Sequence, residues 1–426
     1  MRILLLGGGG FIGRHILAEL LANGHEVTVV VRHVGGLGAA FPSARFVELD
    51  LARATDPLAW RPLLADIDLV VNAAGLLRGK AMHAVHVAMP RALHAAAVEA
   101  DVRRVILISA ISARPDVNTD YARTKLAGEE ALRSSGLGWT ILRPSLVYAE
   151  GSYGGTSLMR GLAGLPFVLP IPGSGDFQFT PIHARDLARA VHIVCEEDRF
   201  SDQQLEPVGP KTLSLKSLLR RYRGWLGFGH AWRLPIPMPI MRLIARIGDL
   251  FGSGPISTNS LMQMIAGNAG DSEAFATAIG FRPRSLDEAL LASPAQVQDR
   301  WHARLFFLAA AIRLVLALMW IASGVLGLVR GAAQSQAFVA ALKLGPGWAE
   351  PLRVATSLLD FAIALFLLLD RRSRWSTAAQ VIVVAGYTLV LGLILPSLWL
   401  DPLGPLMKNI PILLLILVHG AIGDRR

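Results

Sequence analysis

The sequence predicts two parts of different class: an α/β part built on a doubly wound parallel sheet, and an all-α part made of transmembrane helices. Short apolar, β-branched runs alternate with helical patterns through the first part, which is typical of parallel strands joined by helices. The chain is 53% hydrophobic and 17% charged, and nearly all the apolar excess follows Arg304. We therefore place an α/β domain at residues 1–299 and a membrane domain at residues 300–426.

The N-terminal glycine turn is the strongest local signal. An apolar strand at residues 2–6 runs into four glycines, and an amphipathic helix follows directly. Three glycines three residues apart suit a tight turn, close approach of a ligand and close helix packing, as in a Rossmann-type dinucleotide site. Amide groups at the start of the helix would meet a pyrophosphate. The residues of this turn predicted to bind a cofactor are Gly7, Gly10, Phe11, Ile12 and Gly13.

The ends of the second and third strands indicate which nucleotide binds. The second strand ends at Val31-Arg32-His33, where a fold that prefers NAD would have an acidic residue. A cation there suits the 2′-phosphate of NADP, although Arg32 could also be an ordinary surface arginine. We therefore expect NADP(H) to be preferred over NAD(H). Asp50-Leu51 follows the third strand, where the carboxylate could accept a hydrogen bond from the adenine amino group.

Small residues and a serine lie at the ends of the next two strands. A run of small side chains after the fourth strand would let the cofactor lie against the backbone. The fifth strand, residues 104–108, delivers Ser109 to the same edge of the sheet. The small run reads Asn72-Ala73-Ala74-Gly75.

A tyrosine and a lysine one helical turn apart predict the chemistry. Tyr121 and Lys125 share one face of the helix after the fifth strand. A phenol has a pKa of about 10, and a neighbouring ammonium would lower it toward the range useful for acid–base exchange with a carbonyl–alcohol pair. The same spacing also arises by chance on many helices, so its weight depends on the serine-bearing strand before it.

Together these residues resemble the extended, atypical branch of the short-chain dehydrogenase/reductase family over residues 1 to about 290. Within it the resemblance is to the group that contains the nucleotide-binding accessory subunit of respiratory complex I. It implies that Tyr121 and Lys125 are catalytic, that Lys125 also binds the cofactor by holding the nicotinamide ribose, and that a serine or threonine orients the carbonyl. Ala110 occupies the position of that hydroxyl, so Ser109 or Ser112 would have to replace it, or neither does. Later segments that carry the resemblance are Leu142-Arg143-Pro144, with Pro144 at the cofactor, Thr180-Pro181-Ile182-His183 with Asp186, and Phe281 to Leu286.

The remainder of the α/β domain supplies a small substrate-side region. Residues 150–179 are rich in glycine and proline and predict mostly loop. Residues 235–251 carry a broad apolar helix face, with Arg242 and Arg246 one turn apart. This pattern fits a lid over the substrate cleft or a helix in the membrane interface equally well. We assign the substrate side to about residues 145–180 and 205–290.

Four apolar runs predict a four-helix transmembrane bundle. The segment from Asp401 to Pro411 resembles the last helix of DoxX-like membrane domains, a resemblance that covers roughly residues 303–422. Arg313 and Asp360 fall inside the runs, where an interhelix salt bridge, or binding of a quinone or lipid head group, would account for them. The runs are residues 305–329, 348–369, 377–395 and 406–422.

The net charge and the cysteine content limit the possible locations and partners of the protein. The net charge is +10, but the chain has no basic run with interleaved aromatics, so we expect a membrane lipid surface as partner and no nucleic acid. The single cysteine, Cys195, excludes an internal disulfide, and we expect no metal site. With four spans, the positive-inside rule places the nucleotide domain and both termini on the cytoplasmic side of the inner membrane. The arginines that set this orientation are Arg300, Arg304, Arg371, Arg372, Arg374, Arg425 and Arg426.

These observations predict a membrane-anchored NADP(H)-dependent oxidoreductase that acts on an apolar carbonyl, quinone or lipid-like substrate at the cytoplasmic membrane surface. A second hypothesis is a non-catalytic NADPH-binding module that stabilises or senses a membrane redox complex. It stays open because many proteins near the complex I subunit bind nucleotide without obvious turnover.

Overall fold

A computed structural model describes residues 1–151, 153–250, 255–370, 372–402 and 404–423. The chain forms two compact units, Met1–Ala303 and Arg304–Arg426. Some residues used in the sequence-based predictions lie outside the described part of the chain. These residues are Phe251, Arg371, Leu403, Arg425 and Arg426.

Within the described residues, all strands belong to the first unit. They are β1 (Arg2–Leu6), β2 (Glu26–Val31), β3 (Arg45–Glu48), β4 (Leu69–Asn72), β5 (Arg104–Ile108), β6 (Gly138–Leu142), β7 (Val147–Tyr148), β8 (Val168–Pro172), β9 (Gln178–Phe179), β10 (Ile182–His183), β11 (Gln203–Leu205), β12 (Leu213–Ser214) and β13 (Trp232–Ile236).

The helices follow in chain order. Those before the apolar C-terminal region are α1 (Phe11–Ala22), α2 (Leu37–Ala40), α3 (Arg61–Leu64), α4 (Met89–Glu99), α5 (Asp120–Arg133), α6 (Gly154–Ala163), α7 (Ala184–Glu196), α8 (Leu215–Trp225), α9 (Met238–Leu250), α10 (Thr258–Ala266), α11 (Ser272–Ile279) and α12 (Leu286–Ala292). The later ones are α13 (Val297–Arg330), α14 (Ala332–Ala341), α15 (Ala349–Leu369), α16 (Arg374–Ile394) and α17 (Asn409–Ile422).

A seven-stranded parallel sheet forms the centre of the first unit, in the order β11-β6-β5-β4-β1-β2-β3. The strand order reverses at β1, which pairs with β2 on one side and β4 on the other. Ligands of such sheets bind beyond the carboxyl ends of the strands at this reversal. The predicted doubly wound fold is confirmed, and the strands predicted at residues 2–6, 26–31 and 104–108 have the predicted bounds.

Strand β1 is buried on both faces because helices cover the sheet from both sides. Ile3 and Leu5 belong to one core cluster, which also contains Ile16 of α1. Leu4 and Leu6 belong to a second cluster, on the other face. Because alternate residues of β1 pack into the cores on opposite faces of the sheet, β1 lies in the middle of the domain. Its carboxyl end lies at the point where the strand order reverses.

Close backbone contacts fix the turn after β1. Gly7 has φ +76°, and a Cβ atom there would lie 2.9 Å from the backbone of Ala73 and Ala74. At Gly13, inside α1, a Cβ atom would lie 2.1 Å from the Gly7 carbonyl oxygen. That same carbonyl accepts a hydrogen bond of 2.9 Å from the Gly10 amide. The turn can therefore close only with hydrogen at Gly7 and Gly13.

The segment 150–179 is more regular than the expected loop, so that prediction is wrong. It contains α6 and β8, and β8 pairs in parallel with β13. Thr156 accepts a hydrogen bond of 3.1 Å from the Tyr153 amide at the start of α6, and Met159 and Ala163, four residues apart, are buried. Glycine and proline content hid this helical spacing, because the packing that stabilises α6 comes from other segments.

The second unit is helical. Within the described residues, three helices are long and apolar enough to cross a membrane: Val297–Arg330, Pro346–Leu369 and Arg374–Ile394. Helix α17 has 14 residues, about 21 Å at 1.5 Å per residue, which is less than a bilayer core of about 30 Å. The fourth span therefore stays a prediction, and α14 is a helix that the sequence pattern did not indicate.

Arg313 and Asp360 do not pair, so the expected salt bridge is wrong. The Arg313 guanidinium donates to the backbone oxygens of Leu367 at 2.5 Å and Asp370 at 2.6 Å, at the C-terminal end of α15. Asp360 instead accepts a hydrogen bond of 2.6 Å from the Ser323 hydroxyl. The last carbonyls of a helix have no partner within the helix, and an arginine on a neighbouring helix satisfies them here.

We expect Gly13→Ala to prevent both correct folding of the turn and nucleotide binding. The added methyl overlaps a backbone oxygen that is held by its own hydrogen bond, and overpacking of this kind costs about 1–3 kcal/mol or more. Gly36→Ala is the matched control, because a Cβ atom at Gly36 meets nothing within 4 Å. Thermal unfolding and NADPH titration of both variants test this, and equal behaviour would contradict it.

We expect Arg313→Leu to destabilise the second unit by about 1–3 kcal/mol, because several helix-end carbonyls lose a charged donor. Thermal unfolding of the full chain in detergent measures the effect. Arg330→Leu, at an exposed arginine ending α13, is the control and should leave the melting temperature nearly unchanged. A similar shift in both variants would show that the contacts with α15 contribute little.

Candidate active site

The start of α1 has backbone amides that lie ahead of the helix hydrogen-bond ladder. The Arg14 amide donates to the Gly10 carbonyl at 3.0 Å and so makes the first hydrogen bond of the helix ladder. The amides of Phe11, Ile12 and Gly13 therefore precede the ladder, where backbone donors and the helix dipole favour an anion. Gly7 and Gly13 carry only hydrogen at positions where any side chain would collide with neighbouring backbone atoms. These residues fit the pyrophosphate of a dinucleotide.

Lys125 joins the carboxyl ends of two central strands. Its Nζ donates to the Ile108 carbonyl at 3.0 Å and approaches the Ala74 carbonyl at 3.5 Å. A Cβ atom at Gly75 would lie 3.2 Å from the same nitrogen. Burial lowers the pKa of Lys125 to about 8, against the opposing effect of the Glu129 carboxylate. The structure therefore brings the glycine turn, the small run after β4 and Lys125 to one edge of the sheet.

Tyr121 is protonated at neutral pH. It lies one turn before Lys125 on α5, and burial raises the pKa of Tyr121 to about 12. The expectation that the ammonium lowers this pKa is wrong for the structure described, because Lys125 directs its hydrogen bonds to backbone carbonyls. A phenol with this pKa gives a proton to a developing alkoxide more readily than it removes one.

His86 is a site residue that sequence reasoning missed. It lies in a π-helical turn, Ala84–Ala88, and its ring meets the Tyr121 ring edge to face at 5.8 Å. Its Nε2 accepts the Leu76 amide at 3.0 Å, which leaves Nδ1–H to donate to the Thr124 hydroxyl at 2.9 Å. Burial, with the nearby Lys125 charge, lowers the pKa of His86 to about 3. His86 is therefore a neutral imidazole at neutral pH, and its ring packs against one side of Tyr121.

No local pattern marks His86 as functional. The π-helical turn, which often occurs at functional sites, appears only in the folded chain. A Cβ atom at Gly128 would lie 2.2 Å from the His86 carbonyl oxygen, so α5 packs very closely on this turn. That glycine is the one available sequence signal, and it indicates close packing rather than chemistry.

The two candidate serines have different environments. The Ser109 hydroxyl donates to Glu129 at 2.5 Å, and Glu129 is completely buried. Arg143 donates to the same carboxylate at 2.9 Å and 2.5 Å. Ser109 is thus part of an ion-pair network between α5 and β6. Ser112 is also buried, two residues past the partly exposed Ala110.

The residues expected at the adenine side lie beyond β2 and β3. Arg32 and His33 are exposed after β2. Asp50 is exposed after β3, where its carboxylate accepts the Ala52 amide at 3.1 Å and so orders its own turn. Leu51 is partly buried against the core. Beyond β6, the Pro144 carbonyl accepts the Ile111 amide at 3.0 Å, which ties the segment after β6 to the one after β5.

A cavity of about 430 Å³ lies on the substrate side. The Arg114 guanidinium lines it and donates to the Ala266 carbonyl at 3.3 Å. Since Arg114 follows Ser112 by two residues, the cavity adjoins the segment that leaves the carboxyl end of β5. Its other lining residues include Asp176, Phe177, Gln178 and Ile265.

One group of metal-ligating side chains converges elsewhere in the described part of the chain. His25 lies just before β2, and its Nε2 is 3.1 Å from Nδ1 of His192 and 3.3 Å from Glu196. This group lies at the amino end of the sheet, opposite the site above.

Comparisons with known families agree with this geometry. Residues 7–164 match the NAD(P)H-binding family, and residues 317–417 match the DoxX-like family. The first match covers the glycine turn, the ends of β4 and β5, and α5. The second covers most of the apolar C-terminal region, which identifies that region as a helical membrane domain.

Several curated proteins resemble the first unit. The chain is 28% identical over 197 residues to a ceramide reductase of Caulobacter vibrioides, which is 45% of this chain and 60% of that relative. It is 26% identical over 267 residues to NADH dehydrogenase [ubiquinone] 1 alpha subcomplex subunit 9 of Mus musculus, 59% of this chain and 67% of the relative. It is 30% identical over 181 residues to the mitochondrial protein fmp52 of Aspergillus niger, 38% of this chain and 74% of that protein.

Solved structures share the fold at lower identity. A nucleoside-diphosphate-sugar epimerase of Staphylococcus aureus and an NADPH-dependent quinone oxidoreductase of Escherichia coli each match with a TM-score of 0.55 and 18% identity. Each match covers 68% of this chain and 99% of the other. The chain therefore has an NAD(P)-binding domain of the Rossmann type in its first unit and a DoxX-like domain in its C-terminal region.

Proposed function

We propose that the protein is a membrane-anchored, NADP(H)-dependent reductase of an apolar carbonyl, quinone or lipid-like substrate at the cytoplasmic surface of the inner membrane. The observation that carries the proposal is the convergence of the glycine turn, the end of β4 and the Tyr121–Lys125 pair at one sheet edge. A bound nicotinamide nucleotide supplies a hydride in such a site.

The chain's own residues complete the reduction. As the carbonyl carbon receives the hydride, Tyr121 gives its proton to the carbonyl oxygen, so the C=O group becomes an alcohol. Lys125, with a pKa of about 8, carries its positive charge at neutral pH, and its ammonium would hold the nicotinamide ribose. His86 holds the tyrosine ring from its edge. Ser112 is our choice to orient the carbonyl, because Ser109 already donates to Glu129.

Two findings support an apolar substrate at a membrane. One similar protein is named a ceramide reductase, and ceramide is a lipid. The same chain carries helices apolar enough to span a membrane. Arg300 and Arg304 lie near the start of the first span, and Arg372 and Arg374 near the start of the third, so these ends share one side whether or not α17 spans. The positive-inside rule favours the cytoplasm for that side.

A second function, nucleotide binding without turnover, is favoured by the residues at the position of the catalytic hydroxyl. Ala110 occupies the position where the family has a catalytic hydroxyl, and Ser109 is held in an ion-pair network. A similar protein is an accessory subunit of NADH dehydrogenase. Under this alternative, the chain would use NADPH to stabilise or sense a membrane redox complex, and Tyr121 would have no chemical role.

Replacing Tyr121 separates the two functions. We expect purified protein to oxidise NADPH with apolar ketones, long-chain keto lipids or short-chain quinones, and Tyr121→Phe to lower the rate by about 10²–10⁴-fold with NADPH binding unchanged. Ser109→Ala is the control and should lose stability more than activity. Tight NADPH binding without oxidation of any substrate in the panel would favour the binding module.

The rate should also depend on pH through Lys125. A lysine is charged below its pKa, so kcat/KM for reduction should be constant near neutrality and fall above about pH 8, while Tyr121 stays protonated throughout. In Lys125→Arg the fall should move to higher pH, because a guanidinium keeps its charge. An unchanged profile in that variant would show that another group titrates.

Cofactor choice is tested at the end of β2. We expect Arg32→Ala to weaken NADPH about 10–100-fold, since a hydrogen bond to a charged phosphate contributes about 1.5–3 kcal/mol. NADH affinity should be unchanged. Arg45→Ala, at the opposite end of the neighbouring strand β3, is the matched control. Equal affinities for both nucleotides in the wild type would remove the argument for NADP.

A further inference from the structure

We propose that β13 and α9 form a docking surface through which the first unit rests on a lipid bilayer. This docking patch consists of large apolar side chains that the folded unit leaves exposed. Its members, with their exposed fractions, are Trp232 (75%), Leu234 (49%), Ile240 (49%), Leu243 (57%), Ile247 (46%) and Leu250 (83%).

Helix α9 has its apolar face turned away from the protein. Ile240, Leu243 and Ile247 follow helical spacing and share one stripe. The buried residue of α9 is Ala245, which lies on the other side of the helix and is 2% exposed. A surface helix of a soluble domain normally buries its large apolar stripe, and this one buries a methyl group instead. The stripe is therefore available to an apolar medium.

The charges beside the stripe favour an anionic lipid surface. Arg242 and Arg246, one turn apart, flank the apolar residues of α9, and Arg233 lies on β13; all three are exposed. Asp249, the acidic residue of α9, accepts hydrogen bonds from the amide and hydroxyl of Thr258. An apolar face edged by arginines, with an exposed tryptophan nearby, is typical of helices that lie in the headgroup region.

A bilayer is the occupant that the rest of the chain provides. The second unit has helices that can cross a membrane, so the first unit is covalently tethered close to lipid at high effective concentration. A protein partner would need acidic groups complementary to the arginines of the docking patch. In a bilayer, the lipid phosphates supply that negative charge.

The docking patch is connected to the substrate cavity. Helix α9 packs against α10, and the end of α10 supplies Ile265 and Ala266 to the cavity lining. Docking would therefore bring the cavity near the lipid from which an apolar substrate comes. This connection rests on the proposed function, whereas docking itself does not.

Spin labelling of the full chain tests docking without any activity measurement. Cys195 is the chain's single cysteine and is completely buried, so Cys195→Ser gives a background for Leu243→Cys and Ile247→Cys. Leu58→Cys is the matched control: Leu58 is 59% exposed, on the turn Pro57–Ala59 that packs against α3 and α4. Each variant is labelled with a nitroxide and reconstituted in phosphatidylcholine vesicles with and without phosphatidylglycerol.

Collision rates with oxygen, which concentrates in lipid, and with a water-soluble nickel chelate give the result. We expect the oxygen-to-nickel ratio at positions 243 and 247 to be several times that at 58, and to rise with phosphatidylglycerol. Water-accessible labels at 243 and 247 would overturn the proposal. Labels shielded from both reagents would also overturn it. If such labels show dipolar broadening that dilution removes, the stripe contacts a second copy of the chain. If they show no such broadening, the stripe is covered by a lid on the same chain.

Discussion

The contact between the turn after β1 and the backbone after β4 is the constraint on which the site depends. Gly7 lies so close to Ala73 and Ala74 that no side chain fits, and Gly13 lies closer still to Gly7. These contacts hold the start of α1 against the reversal point of the sheet. The amides at the start of α1, the small run after β4 and the lysine that bridges β4 and β5 therefore share one edge.

Helix α5 carries the candidate catalytic residues in its first turns and a structural ion-pair network further along. Its first turns carry Tyr121 and Lys125 toward the nucleotide edge, and one turn later Glu129 is buried among Arg143, Arg133 and Ser109. Removing one partner from a buried ion pair leaves an uncompensated charge, so this network fixes α5 on the sheet. The same network takes Ser109 out of the chemistry, which shifts the carbonyl-orienting role to Ser112 in the proposed mechanism.

Both units expose apolar surface, for different structural reasons. In the second unit, the long helices expose large apolar side chains, as expected of helices whose length and composition suit a lipid environment. In the first unit, the docking patch belongs to one amphipathic helix and one edge strand beside the substrate region. An apolar substrate and a bilayer surface would account for this second group together, since the cavity and α9 are joined through α10.

The sequence by itself determined the sheet, the glycine turn, the Tyr121–Lys125 pair and the apolar C-terminal region, because strand runs, glycine spacing and helix period are local properties. It could not show that α6 replaces a loop, since tertiary packing stabilises that helix, or that Arg313 binds the end of α15 rather than Asp360. Only the tertiary structure placed His86 beside Tyr121 and Ser109 against Glu129. Those arrangements join residues 20 or more positions apart in the chain, and long-range contacts leave no local pattern.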